Sequence, residues 1–97
     1  MTAAGTRGKV VLVDGVLVGP GEAVVSVYDR GFLFGDAVFE VLRTYGGIPF
    51  AFDEHYARLR RSAERVFIEL PIDRDGLLLE LERGIAAAGN DESYVRI

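Results

Sequence analysis

Three polar side chains in apolar or helical company raise the first chemical questions. Glu40 lies inside the β-prone run Val38 to Tyr45. An unpaired carboxylate there would be costly to bury or would take up a proton, so it either faces water or has a partner. Strand residues alternate between faces, and that alternation taken alone favours the solvent-facing position. His55 and Arg58 stand three residues apart, a spacing that puts both on one helix face and could present two donors to an anion. On a helical wheel, however, Arg58 falls outside the arc of Tyr56, Leu59, Ala63 and Val66, and periodicity alone reads it as a solvated position. Arg96, close to Tyr94 in a β-prone run, is by the same default an edge or surface arginine. The chain contains no Ser/His/Asp set, phosphate-binding glycine fingerprint or metal-ligand cluster. With no cysteine and a single histidine, neither a disulfide framework nor a zinc site is expected.

The elements that must position these residues follow from local pattern. Lys9 to Val13 meets Asp14-Gly15 and then Val16 to Val18, the signature of a hairpin closed by a two-residue primed turn. Val24 to Val27 is a short extended candidate, and Asp29 to Asp36 reads as an ordered loop. Val38 to Tyr45, the break at Gly46-Gly47 and Ile48 to Phe52 predict a second hairpin. Asp53 offers an N-cap oxygen, and Tyr56, Leu59, Ala63, Val66 and Phe67 repeat with helical spacing, which predicts an amphipathic helix to about Glu69. Pro71 forbids its continuation. Asp73 can cap a second helix whose stripe is Leu77, Leu78, Leu81, Ile85 and Ala88, with Gly89 as its stop. Ser93 to Ile97 begins a further strand. This order predicts an α+β fold, a mainly antiparallel sheet covered by two helices.

Composition narrows the function classes. The chain is 97 residues long, about one small domain, and its apolar fraction of 49% with 27% charged residues is that of a folded globular protein. The net charge is −4, and the arginines at 58, 60, 61 and 65 are surrounded by acids, so no broad basic field is available for nucleic acid. Met1 to Gly8 lacks the apolar core of a signal peptide, and no stretch approaches the ~20 apolar residues of a membrane span. The cytoplasm is the expected location. The β-prone ending Tyr94-Val95-Arg96-Ile97, without turn or polar tail, leads to the expectation of a chain cut within a sheet.

The run from Asp29 to Glu40, D-R-G-x-x-F-G-D-x-x-[FY]-E, followed by Glu54-His55-Tyr56-Ala57-Arg58-Leu59, E-H-x-x-R-L, resembles the opening of the class IV, or fold-type IV, pyridoxal-phosphate aminotransferases. The resemblance covers nearly everything from Lys9 to Ile97. It implies that residues 1–97 are the N-terminal small domain, that pyridoxal 5′-phosphate is the cofactor, and that Arg58 binds its phosphate. A guanidinium suits that task because it forms parallel charge-assisted bonds and stays charged. Phe34 and Phe39 match positions that line the substrate pocket, and Phe34 lacks the hydroxyl that branched-chain enzymes usually carry there. Arg43 matches a basic position near the pocket. Tyr94 and Arg96 resemble the Y-[IV]-R segment that helps hold the substrate carboxylate in branched-chain enzymes.

Two subfamily signals conflict. Asp29-Arg30-Gly31 and Phe34-Gly35-Asp36 resemble D-amino-acid aminotransferases, whereas Arg96 resembles the branched-chain enzymes. Because an arginine meeting a carboxylate is a chemically directed feature, the sequence reading favours a branched-chain donor with 2-oxoglutarate as acceptor. A D-amino-acid aminotransferase, an R-selective amine transaminase, aminodeoxychorismate lyase and a non-catalytic dimerisation module are the alternatives. The chemistry needs a lysine to hold the cofactor and move a proton. The sole lysine, Lys9, is misplaced for the family, so the resemblance implies a catalytic lysine beyond residue 97 in a larger C-terminal domain, a homodimer in the complete enzyme, and an inactive isolated fragment.

Overall fold

The computed structural model describes residues 8–97, and the N-terminal stretch before Gly8 lies outside them. Strands β1 (Val11–Val13) and β2 (Val16–Val18) form an antiparallel pair with Val11 opposite Val18 and Val13 opposite Val16. Asp14 at φ 52° and Gly15 at φ 79° make the turn between them, the two positive angles that a primed hairpin turn requires. A 3-10 turn (Pro20–Glu22) follows. Val24 to Val27, expected to be extended, joins no strand and lies exposed. The loop from Asp29 to Asp36 contains a one-turn helix, α1 (Arg30–Leu33), whose N-terminus is capped by the Asp29 carboxylate accepting from the Gly31 amide at 2.7 Å. Arg30 pairs with Asp36 at 2.8 Å and fastens the ends of that loop together.

The second sheet carries the candidate site. Its central strand β3 (Val41–Tyr45) pairs antiparallel with β4 (Ile48–Pro49) on one side and with β5 (Tyr94–Arg96) on the other. The α+β class and the antiparallel pairing are as expected, but the strands divide into a two-stranded and a three-stranded sheet instead of one. Helices α2 (Phe52–Arg65) and α3 (Arg74–Ala88) cover one face of the larger sheet. The core is Leu42, Phe52, Leu59, Leu77 and Leu81, with Val95, Ile97, Tyr56 and Ile85 packed around it. On α3, Gly84 lets the β1 hairpin approach closely, since a Cβ there would stand 3.1 Å from the Leu12 methyl.

The helix ends show where local chemistry decides and where packing overrides it. Asp73 caps α3 by accepting from the Gly76 amide at 2.8 Å, and Gly89 ends it in the left-handed region at φ 66°. Asp53 does not cap α2. The cap position is Ala51 at φ 54°, and the helix opens with Phe52, whose buried ring belongs to the core, so Asp53 falls in the first turn and pairs with Arg74. The helix also stops at Arg65 and not near Glu69. Phe67 turns to φ 59° and is 96% exposed, while the Ile68 amide closes back on the Ala63 carbonyl at 2.9 Å. The buried stripe therefore ends at Ala63, and Val66 and Phe67 do not belong to it.

Candidate active site

Strand alternation splits β3 and the residues before it into two chemical faces. Glu40, Leu42 and Thr44 turn toward the helices and are buried. Phe39, Val41, Arg43 and Tyr45 turn to the uncovered face. On β5, Arg96 stands opposite Val41 and Tyr94 opposite Arg43, so both of these β5 residues share that open face.

On the helix-covered side, Glu40 is 7% exposed, a correction to the solvent-facing position that alternation alone favoured. The helices lie on its face, and α2 supplies its partners. Arg58 donates from Nε to Oε2 at 2.9 Å and from Nη2 to Oε1 at 2.8 Å, a two-pronged grip on the carboxylate. His55 Nδ1 stands 2.6 Å from Oε1, and because an ionised carboxylate can only accept, Nδ1 is assigned as the donor in this contact. The backbone beneath is fixed as well, because Glu40 and Ile97 exchange both amide-to-carbonyl bonds at 3.0 and 2.8 Å. The Arg58 bonds hold the Glu40 carboxyl down to about 2, against the opposing effect of burial, and His55 adds to the lowering. Glu40 in turn pushes the Arg58 guanidinium up.

The Arg58 side chain is 59% exposed even with its Nε edge taken. Of its five N–H donors Glu40 receives two, and Nη2 also lies 3.3 Å from His55 Nδ1, so that among the described residues both donors on Nη1 are left without a hydrogen-bond partner. A fixed, exposed cation with donors left open on Nη1 fits the chemistry of a phosphate group.

On the open face, the Arg96 guanidinium lies 4.3 Å from the centre of the Phe39 ring. Arg43 lies 4.1 Å over Tyr45 and donates from Nε to the Thr44 carbonyl at 3.0 Å. Tyr94 is 82% exposed. Stacking on aromatic rings orients both arginines without neutralising them, which leaves them able to meet a carboxylate. The structure thus brings Phe39, Arg43, Tyr94 and Arg96 onto one surface. Phe34 stands apart in the loop after α1, under the Arg30 guanidinium at 4.8 Å. Among the described residues no hydrogen bond or cation–π contact joins the Arg58 cluster to this surface. Lys9 precedes β1, on the hairpin that packs against α3.

Two groups that serve the site were not singled out from the sequence for the roles they play. Glu40 as the anchor of Arg58 is one: a carboxylate in an apolar run calls for a partner if it is buried, but the run does not name Arg58, and the parity shared with Leu42 is the signal that places it on the core face. Glu92 is the other. Its carboxylate accepts from the Thr44 hydroxyl at 2.7 Å and from the Gly46 and Gly47 amides at 2.7 and 3.0 Å, tying the β3–β4 turn to the start of β5. Those bonds, that from the Gly47 amide foremost, hold the Glu92 carboxyl below its usual range.

The amino-transferase class IV family model matches residues 37–97, the segment that carries this whole arrangement apart from Phe34. The chain belongs to the class IV aminotransferase family. It is similar to a D-alanine aminotransferase of Bacillus licheniformis, 44% identical over 74% of the chain and 25% of the relative. A D-alanine aminotransferase of Staphylococcus aureus (strain MSSA476) is 38% identical over 88% of the chain and 30% of the relative. A putative branched-chain-amino-acid aminotransferase of Methanocaldococcus jannaschii is 32% identical over 90% of the chain and 30% of the relative. The chain therefore matches 25–30% of the length of these curated relatives. Among the described residues no helix is long and apolar enough to cross a membrane, and no cluster of His, Cys, Asp or Glu could hold a metal ion.

Proposed function

We propose that residues 1–97 are the N-terminal small domain of a pyridoxal-phosphate-dependent aminotransferase that transfers the amino group of a D-amino acid to a 2-oxo acid. The observation that carries this reading is Arg58, which occupies the E-H-x-x-R-L position, is fixed by Glu40 and keeps free N–H donors exposed. In the proposal those donors hold the cofactor phosphate. The cofactor, when bound, supplies the electron sink for removing the substrate α-proton. The lysine that moves the proton belongs to a larger domain outside these residues, and a homodimer completes the pocket. Arg96 and Tyr94, with Arg43 beside them, meet the substrate carboxylate, while Phe39 stacks beneath Arg96 and excludes water from that contact.

The D-amino-acid donor is supported by the two relatives of higher identity, both named D-alanine aminotransferase. A second reading, transfer from a branched-chain L-amino acid to 2-oxoglutarate, is favoured by Arg96, whose guanidinium stands on the open face beside Phe39. The complete protein, assayed with paired D- and L-amino acids and 2-oxoglutarate, separates them. The proposal expects D-alanine to yield pyruvate and glutamate in equal amounts. Turnover of L-leucine and L-valine without D-alanine would install the branched-chain reading. Absence of transfer from every donor, or pyruvate release without an amino acceptor, would contradict an aminotransferase.

A further inference from the structure

We propose that Glu40 is a positioning residue for the cofactor phosphate, acting through Arg58 by holding the guanidinium in the orientation the phosphate meets. The inference rests on the reading that Arg58 grips the phosphate and adds a role for the buried carboxylate behind it. An exposed arginine samples many rotamers and loses that freedom when it binds. Here the freedom is already spent. Glu40 takes the Nε–H and one Nη2–H, the donors of one edge of the planar group, at 2.9 and 2.8 Å. The geometry of the fork then directs the Nη1 pair and the second Nη2–H away from Glu40.

Three features make Glu40 a rigid anchor instead of a mobile counter-ion. Its carboxylate is almost excluded from water at 7% exposure, so solvent competes little for its lone pairs. His55 holds Oε1 from a second direction at 2.6 Å. Its backbone is locked to Ile97 by two hydrogen bonds. A carboxylate beside the arginine also has an opposing effect, since its negative charge weakens the field that attracts a phosphate dianion. Positioning and charge therefore predict opposite signs when the charge is removed, and the sign can be read.

The experiment is a binding titration of the complete apo-protein with pyridoxal 5′-phosphate and with pyridoxal, which share every group but the phosphate. The ratio of the two dissociation constants isolates the phosphate contact from any general loss of fold. Glu40→Gln replaces one acceptor oxygen with an amide that cannot accept from the guanidinium. It should reduce the preference for the phosphorylated form by about tenfold, the scale seen when an outer partner of a ligand-holding group is removed. Glu40→Asp keeps the charge but draws it back by a methylene, and it should lower the preference as well. In an Arg58→Lys background, where no two-pronged grip exists, Glu40→Gln should add little.

An unchanged or increased preference in both Glu40 variants, with Arg58→Ala still lowering it, would overturn the positioning role and leave Glu40 structural or merely a counter-charge. An unchanged preference in Arg58→Ala would instead overturn the underlying reading of Arg58 as the phosphate ligand. Should Glu40→Gln not fold, Glu40→Asp decides the same question.

Discussion

The Thr44 hydroxyl donates to Glu92 Oε1 at 2.7 Å and accepts from the Ser93 amide at 2.9 Å, across a sequence separation of nearly fifty residues. Thr44 is fully buried, at 0% exposure, near the end of the central strand β3. The same carboxylate accepts from the Gly46 and Gly47 amides, so one polar node sets the β3–β4 turn and the entry of β5 together.

Thr44→Val keeps the side-chain shape but deletes both bonds and leaves the Ser93 amide without its partner. The expected loss is ~1–3 kcal/mol, the cost of an unsatisfied buried donor, read as a lower urea midpoint with unchanged slope. Thr44→Ser should recover most of it. Hydrogen exchange adds a local readout, because in Glu92→Ala the Gly46 and Gly47 amides should exchange faster than in the parent. Unaltered exchange at both would show that Glu92 does not hold the turn.

Acid stability should report Glu40. Its carboxyl is lowered from the ordinary 4.5 to about 2 by the Arg58 bonds, against burial. A folded-state pKa below the unfolded one gives stability that is fully present above about 4.5 and lost as the pH falls through about 2. Glu40→Gln cannot titrate, so its stability should fall less between pH 5 and pH 2 than that of the parent. Parallel loss in the two proteins, followed by chemical denaturation at stepped pH, would mean that Glu40 gains nothing from Arg58 and His55.

Much of the scaffold was legible in the sequence because its signals are local. Asp14-Gly15 demands a primed turn, Asp73 and Gly89 bracket α3, and Pro71 separates the helices; each acts through its own backbone. The misplaced features depend on packing between distant segments. Glu40 points inward because two helices cover its face, although the opposite face, with Phe39, Val41 and Tyr45, is the more apolar in the sequence. Apolar residues at Phe67 and Val66 continue the helical period, yet the chain has already turned at Arg65. The Asp53 cap gives way to Phe52, whose ring the core requires. Of the residues proposed for the site, Phe39, Arg43, Tyr94 and Arg96 share a face that strand parity and register account for, while the carboxylate behind Arg58 needed three dimensions.

Arg96 carries the carboxylate contact that both donor readings invoke. If it meets the substrate carboxylate, Arg96→Gln in the complete protein should lower kcat/KM for donor and acceptor by about 30-fold or more, in keeping with the loss of a charge partner in a partly dry pocket. Cofactor content should stay at the parental level, since among the described residues no hydrogen bond or cation–π contact joins Arg96 to the Arg58 cluster. A change within about threefold would return Arg96 to an edge-strand arginine stacked on Phe39.

The most direct test is the affinity of the complete apo-protein for pyridoxal 5′-phosphate relative to pyridoxal, in the parent and in Arg58→Ala. Alanine also strips Glu40 of two of its three hydrogen-bonding contacts, so some stability will be lost, and the ratio is the quantity that excludes this general effect. The account predicts that the parent prefers the phosphorylated form strongly and that Arg58→Ala lowers this preference by about 30-fold or more, in line with loss of a two-pronged charged contact. The same preference in both proteins, with only the thermal midpoint lowered, would contradict it and make Arg58 a structural partner of Glu40 alone.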